Sequence, residues 1–191
     1  MVSSSILFSL QNGLVPEDKA TPLMRRASNM KGMYNDTNAL EALINGENPI
    51  MYEFYDLKKP ERSGDLAFGT SIVYPGKVGE EFYMTKGHFH TILDTAEVYY
   101  CLQGHGMTMM ESPEGEYEIQ EMTPGVAVYV PGRYAHRSIN LSLSEKLVTF
   151  FVFRADAGHD YGTIENEGFR KLVLTDGSGY TLKDNPAWKK K

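Results

Sequence analysis

Residues 81–104, EFYMTKGHFHTILDTAEVYYCLQG, decide the fold and its site. His88 and His90 are separated by one residue. On a β-strand, where side chains alternate between faces, both imidazoles therefore lie on one face and Phe89 on the other. Glu97 follows a turn-like LDT, in an apolar run that is typical of a neighbouring strand. The pattern predicts two imidazoles and one carboxylate close together on a sheet.

A third histidine joins this group from a separate strand pair. His136 follows the turn VPGRYA, and three imidazoles with one carboxylate suit a borderline divalent metal such as Fe(II), Mn(II), Ni(II) or Zn(II). If the ion is six-coordinate, two positions stay open for water or substrate, as in a catalytic site. Taken alone, an HxH pair is more often two exposed strand histidines, but the added glutamate and histidine favour the metal. His105, in the turn GHG, fits none of this spacing and is expected to be a solvated turn residue.

Short apolar or alternating runs continue from Pro49 to about Phe153, separated by glycine and proline turns. Many short strands at such spacing indicate an antiparallel sandwich or barrel, so the predicted fold class is all-β. One short helix precedes them in NDTNALEALINGENP, with Asp36 or Thr37 as its cap and Asn45-Gly46 as its stop.

The chain is expected to form a single domain over residues 1–191. It has an N-terminal lead-in with the short helix over 1–48, a metal-binding barrel over 49–155, and a C-terminal hairpin and tail over 156–191. The hairpin is predicted from KLVLTD and YTLKD, which flank a Gly-Ser-Gly turn. The first thirty or so residues show no sustained period and receive no assignment.

The composition is that of an ordinary globular protein, with 41% hydrophobic and 23% charged residues. A formal net charge of −6 argues against nucleic acid and acidic lipid as partners. Cys101 is the single cysteine, so no internal disulfide is possible and a reducing, cytoplasmic location is expected. No apolar run approaches the roughly 18 residues of a membrane span, so we expect no membrane partner.

Two spacings resemble the two motifs of the cupin superfamily. The first is GHFH, six residues, Glu97, six residues, Gly104; the second is Gly125, five residues, Pro131, four residues, His136, three residues, Asn140. Phe82 and Arg133 stand where many cupins have glycine, and neither is a ligand. The resemblance implies a cupin double-stranded β-helix, or jelly-roll, barrel. It also implies that the metal lies inside the barrel, held by His88, His90, Glu97 and His136.

A longer set of strings is similar to the archaeal-type glucose-6-phosphate isomerase family. They are TSIVYPGKVGEEFYMTKGHFHTILDTAEVYYCLQGHG, GDLAF, VYVPGRYAHRSIN, ADAGHDYGTIENEGF and DNPAW, and the similarity covers about residues 25 to 190. The resemblance implies a metal-dependent isomerase that interconverts D-glucose 6-phosphate and D-fructose 6-phosphate in glycolysis and gluconeogenesis. It also implies a homodimer with one divalent metal per subunit, with Fe(II) favoured.

An acidic protein needs a local set of donors to bind a sugar phosphate. The candidates are Thr70 and Ser71 on one strand and Thr85, Lys86 and Gly87 on the strand that delivers His88, where glycine lets the backbone N–H approach closely. By themselves these residues also fit strand-surface hydroxyls and a solvated lysine, but the resemblance favours the phosphate site. Tyr52 and Tyr99 are expected to close the pocket, although both also fit a packed core.

Isomerisation moves hydrogen between C1 and C2, so the enzyme needs a group that opens the ring and one that carries a proton. Glu97 is a candidate base, although a carboxylate bound to a metal is a weakened base. His159 and Tyr161, in GHDYG, are the other candidates, since histidine shuttles protons near neutral pH and tyrosine donates to sugar oxygens. They also fit a turn histidine and a packing tyrosine. A metal-assisted hydride shift needs no strong base, and the residues leave this choice open.

One position near the site departs from the family pattern. The family has a tyrosine shortly before ADAGHDYG, whereas this chain has Phe153 and Arg154. The missing hydroxyl removes one hydrogen bond to the ligand, and Arg154 is a candidate for another contact to phosphate. We therefore expect retained activity with altered substrate affinity.

Two rival functions use the same four ligands. An Fe(II)-dependent cupin dioxygenase would consume oxygen at the open metal positions. A non-catalytic, metal-dependent sugar-phosphate binding protein would bind the ligand without converting it.

Overall fold

Short antiparallel strands build most of the molecule in the computed structural model, which describes residues 9, 21–57 and 62–189. The strands are β1 Leu23–Arg26, β2 Ile50–Asp56, β3 Leu66–Val73, β4 Lys77–Val78, β5 Glu81–Phe82, β6 Glu97–Gln103, β7 Gly106–Glu111, β8 Tyr117–Met122, β9 Ala127–Val130, β10 Ala135–Asn140, β11 Leu147–Arg154, β12 Lys171–Thr175 and β13 Tyr180–Asp184. The helices are a 3₁₀ turn Ala27–Met30, α1 Thr37–Asn45 and α2 Gly162–Glu167. Residues 1–8 and 10–20 of the predicted lead-in lie outside the described residues.

Three sheets share one hydrophobic core. Their strand orders are β1-β2-β3-β11-β6-β9, β10-β7-β8 and β13-β12-β5-β4. Residues such as Tyr99, Met109 and Val173, one from each sheet, belong to the same buried cluster. The sequence-distant β3 and β11 pair along their whole length, from Leu66↔Arg154 to Val73↔Leu147. This mostly β, antiparallel arrangement confirms the predicted all-β cupin fold.

The six-stranded sheet has an inner face toward the core and the cavity and an outer face away from them. Strand registers place Tyr52, Ser71 and Tyr99 on the inner face, because Phe54 pairs with Ser71 and Phe151 with Tyr99. No helix in the described parts of the chain is long and apolar enough to cross a membrane.

Helix α1 begins and ends where the sequence predicts. The Asp36 side chain accepts a hydrogen bond from Ala39 N at 2.9 Å, and the Gly46 N–H closes the C-terminus on Ala42 O. Leu40 is buried against the core. The predicted C-terminal hairpin is also confirmed, since β12 and β13 pair from Lys171↔Asp184 to Thr175↔Tyr180.

The segment that carries the histidine pair is not the continuous strand that its alternation predicts. It contains only β5, followed by isolated bridges that join Met84 to Ile139, His88 to His136 and Phe89 to Asp160. Gly87 interrupts the strand with φ +78°, and a Cβ there would lie 2.6 Å from the Phe169 ring. The bridge to β10 still holds His88 beside His136.

The sequence patterns do not predict two of the elements. Strand β1 has no alternation of its own and forms because it pairs with β2, with Leu23 opposite Phe54 and Arg25 opposite Tyr52. Helix α2 buries only Ile164, too little to give a helical stripe. Both elements depend on tertiary contacts, and both flank the site.

Candidate metal centre and cavity

Four side chains converge inside the barrel: His88, His90, Glu97 and His136. One ligand atom from each lies within 4.8 Å of all the others. Glu97 Oε2 is 3.2 Å from His90 Nε2 and 3.0 Å from His136 Nε2. Bridges to β10 place His88, β6 begins at Glu97, and β10 carries His136. The structure thus brings together all four predicted metal ligands.

Neighbouring groups fix the orientation of two imidazoles. His90 Nδ1 lies 3.0 Å from Thr95 O and 2.8 Å from Thr95 Oγ1, whose own proton goes to Ile92 O. His136 Nδ1 faces Tyr134 O at 3.4 Å. Both contacts favour the tautomer with the proton on Nδ1, which leaves the Nε2 lone pair for a metal. The Tyr99 hydroxyl donates to Glu97 and orients the carboxylate.

The charge pattern of this group suits a cation. Burial alone would raise the pKa of Glu97, but the neighbouring imidazoles of His136, His90 and His88 hold it well below its usual range. Burial lowers the pKa of His88, and the neighbouring His136 and His159 lower it further. At neutral pH the group therefore presents an ionised carboxylate and a neutral His88 imidazole.

Two buried nitrogens of the metal group have no hydrogen-bond partner in the structure. They are Nε2 of His88 and Nε2 of His136, which is close to Glu97 but outside hydrogen-bond geometry. Leaving a buried polar atom unpaired costs about 1–3 kcal/mol. A divalent metal would satisfy both nitrogens and the carboxylate at once, so the residues fit the ion that the fold implies.

A cavity opens beside the group. Its lining residues are Tyr52, Phe54, Asp56, Ser71, Thr85, His88, Glu97, Tyr99, Phe151, Phe153, His159 and Tyr161. A wider outer cavity continues it toward solvent and adds Arg25, Asp156 and Gly158 among other residues. Seven predicted substrate or catalytic residues therefore share one cavity with the metal group: Tyr52, Ser71, Thr85, Glu97, Tyr99, His159 and Tyr161.

His159 and Tyr161 stand at the entrance to the metal group. The His159 ring centroid is 4.4 Å from that of His88, and the His159 and Tyr161 rings stack with an interplanar angle of 11°. Burial raises the pKa of Tyr161 to about 12, so its hydroxyl stays protonated at neutral pH. The pair thus offers an exposed imidazole and a phenolic donor next to the metal group.

Several predicted contacts lie elsewhere. Lys86 Nζ pairs with Glu165 Oε1 of α2 at 2.5 Å and does not line the cavity, because Thr85 takes the inner face. Thr70 is on the outer face of β3, opposite Tyr55. Arg154, the candidate for a further phosphate contact, pairs its guanidinium with Asp156, and neither cavity includes it.

Three other predicted positions are placed as follows. Gly87 is not among the residues that line the cavity, and a Cβ there would point toward the Phe169 ring and His136 O. Phe153 lines the cavity and stacks on His90, with ring centroids 5.8 Å apart. His105 is exposed and faces Glu121 at 3.5 Å, as expected for a turn residue.

Sequence reasoning missed some residues of the cavity. Phe54 and Asp56 follow from Tyr52 by the period of two on β2, so that signal was present in the sequence. Arg25 had no such signal, because its place depends on the pairing of β1 with β2.

The fold and the site together define a cupin whose barrel carries a three-histidine, one-glutamate group fitted to a divalent metal. A family model described as Glucose-6-phosphate isomerase (GPI) matches residues 24–189. The chain belongs to the glucose-6-phosphate isomerase family.

Individual relatives agree with the family match. The glucose-6-phosphate isomerase of Thermococcus gammatolerans is 44% identical over 183 residues, which cover 96% of this chain and 95% of that protein. The Pyrococcus furiosus protein of the same name is 46% identical over 87% of this chain and 88% of its own length. Among solved structures, oxalate decarboxylase from Bacillus subtilis is similar at TM-score 0.45, with 21% identity over 56% of this chain and 26% of that chain. The family assignment therefore rests on the sequence relatives.

Proposed function

We propose that this chain is a metal-dependent isomerase that interconverts D-glucose 6-phosphate and D-fructose 6-phosphate. The observation that carries the proposal is that the four-residue metal group shares one cavity with hydroxyl donors and with a histidine–tyrosine pair. Sugar isomerisation needs these three parts in one place. Membership of the glucose-6-phosphate isomerase family supports the same activity.

The metal is held by His88, His90, Glu97 and His136, and Fe(II) is the favoured ion, with Mn, Ni or Zn as alternatives. When bound, such an ion supplies electrostatic stabilisation of the negative charge that develops on the substrate oxygens. Tyr99 holds the Glu97 carboxylate in place through its hydroxyl. Phe153 stacks against His90 and keeps water from that side of the ligand group.

Substrate positioning falls to the inner-face donors. Ser71 and Thr85 present hydroxyls to the cavity, and Tyr52 is a largely buried third donor beside them. Thr85 is fixed because its N–H donates to Ser138 O and its Oγ1 accepts from Ser138 N at 3.0 Å. Rigid donors of this kind hold the sugar in a single orientation over the metal group.

His159 is the proposed proton carrier. Glu97 is a poor base at neutral pH, because its pKa is depressed and its oxygens face the imidazoles. Imidazole is the side chain suited to accept and return a proton near pH 7, and His159 lies at the open side of the metal group. Tyr161, which stays protonated, donates a hydrogen bond to a sugar oxygen.

We also propose a homodimer of single-domain, cytoplasmic chains. The outer face of the six-stranded sheet exposes large apolar side chains, among them Val98, Tyr100 and Tyr129, which is 63% exposed. Neighbouring exposed apolar residues on one sheet are typical of a protein–protein interface. Light scattering that gives the mass of one chain at micromolar concentration would contradict the dimer.

The activity is tested by loading the protein with Fe, Mn, Ni or Zn, adding fructose 6-phosphate and assaying glucose 6-phosphate, with a chelator-treated control. We expect conversion that the chelator abolishes. No conversion with any of the four metals would refute the isomerase. Oxygen uptake with a sugar-phosphate substrate would favour the dioxygenase, and binding without conversion would favour the binding protein.

A further inference from the structure

The proposed substrate is an anion, but the cavity has little positive charge of its own. The chain carries a formal net charge of −6, so no long-range field attracts a phosphate. Lys86, the lysine that the sequence predicts to bind phosphate, forms an ion pair with Glu165 instead. Among the described residues that line the two cavities, Arg25 is the only lysine or arginine.

Arg25 reaches the cavity from the edge of the six-stranded sheet. It is directly opposite Tyr52 in the pairing of β1 with β2, so both side chains are on the inner face. The side chain is half-buried and lines the outer cavity with His159 and Tyr161. Its charge is therefore partly shielded from water. In such a partly buried position a guanidinium attracts a phosphate more strongly than it does in water.

Several hydrogen-bond donors meet beside this guanidinium. The Tyr52 hydroxyl oxygen accepts hydrogen bonds from Arg25 and from the backbone N–H of Lys86. The Lys86 carbonyl accepts from Arg137 Nη2 at 2.6 Å, and Arg137 is buried. A trans peptide holds its N–H opposite its C=O, so the Gly87 N–H points away from Arg137 and is strengthened as a donor. The Tyr52 hydroxyl oxygen thus already occupies a position to which the Arg25 guanidinium and the Lys86 backbone N–H both donate.

We infer that Arg25 is the charged anchor for the phosphate group of the substrate, beside the Tyr52 hydroxyl and the Lys86–Gly87 backbone. The inference rests on the proposed isomerase function, and it names the part of the cavity that binds the anionic end. Asp56, the carboxylate of β2 that lines the cavity, lies four residues beyond Tyr52, about 13 Å along the backbone at ~3.3 Å per residue. The anionic end therefore faces Arg25, and Asp56 is left for sugar hydroxyls.

The test replaces Arg25 in the full, metal-loaded chain. Arg25→Gln is expected to raise the KM for fructose 6-phosphate, and the inhibition constant of inorganic phosphate, by about tenfold to a hundredfold, the range for a charge-assisted hydrogen bond. The kcat should stay within about threefold, because the group binds without reacting. Arg25→Lys should fall between, since it keeps the charge but loses the fork of donors.

Arg26→Gln is the matched control, because it removes the same charge from the next residue, which is exposed and bonds Asn48 O. A KM and an inhibition constant for Arg25→Gln equal to those of Arg26→Gln would overturn the inference. If the wild-type chain converts no fructose 6-phosphate, the proposed function fails. Calorimetric titration of inorganic phosphate into metal-loaded wild type and Arg25→Gln then decides the inference, with equal affinities overturning it.

Discussion

The two ends of the cavity are built in different ways. The metal end takes all its ligands from residues 88–136, and bridges to β10 and a bond to Thr95 fix their positions. The mouth takes its residues from β1, β2 and the loop at His159, which are far apart in the sequence. The metal end is a buried group, and in the proposed function it supports the chemistry. The mouth is a more open set of donors, and in the proposed function it selects the substrate.

The largest effect is expected from breaking the metal end. A His88→Ala, His136→Ala double change should lower kcat/KM by about a thousandfold or more, because the electrostatic stabilisation from the ion is lost. Metal content measured by mass spectrometry should fall to background, while circular dichroism stays that of a β-barrel. His105→Ala is the matched control, since His105 is exposed and distant from the group. Full activity in the double variant would contradict the ligand assignment.

Removing the metal should destabilise the protein measurably. An ion present at a thousand times its dissociation constant adds about 4 kcal/mol to the free energy of unfolding. For a chain of this length that corresponds to roughly 8–16 °C in Tm, at about 2–4 °C per kcal/mol. Scanning calorimetry with and without chelator measures the difference. An equal Tm in both samples would mean that no ion is held by the buried nitrogens.

His159, which stands between the two ends, should affect turnover more than binding. His159→Gln is expected to lower kcat by about a hundredfold, a value typical of a lost acid–base group, with KM within about threefold. Metal content should not change, because His159 is outside the ligand group. Steady-state kinetics over a range of pH checks this prediction. An unchanged kcat would favour a hydride shift that needs no proton carrier.

The smallest effect is expected from replacing Lys86, and it is to be compared with the effect of replacing Arg25 at the mouth. Lys86→Gln should change neither kcat nor KM by more than about twofold, because its ammonium pairs with Glu165, an exposed partner, and such pairs contribute about 0–1 kcal/mol. The same kinetic assay applied to Arg25→Gln provides the comparison. A large rise in KM for Lys86→Gln, with no rise for Arg25→Gln, would mean that the phosphate binds on the Lys86 side of this segment.

The sequence predicts the metal end well, because the ligands follow local spacing rules. The period of two explains why His88 and His90 share a face, and glycine at 87 with its left-handed φ lets His88 pair with His136 of β10. The same period argues against placing both Thr70 and Ser71, or both Thr85 and Lys86, in one cavity. The structure agrees, since only Ser71 and Thr85 line it.

The mouth could not be predicted in the same way. Arg25 reaches the cavity only because β1 pairs with β2, and the sequence LMRR has no alternation from which to infer a strand. Helix α2, which holds Lys86 through Glu165, also lacks an apolar stripe. Contacts of this kind depend on tertiary pairing between segments that are far apart in the chain. The order of elements around the barrel had to be known before the mouth could be described.

The central claim is that turnover depends on one metal ion held by the four-residue group. The most direct test adds Fe(II), without oxygen, to metal-stripped protein and follows conversion of fructose 6-phosphate to glucose 6-phosphate. The rate should rise in proportion to added metal and level off at one equivalent per chain. Metal-stripped protein that already converts the substrate at the fully loaded rate would contradict the account.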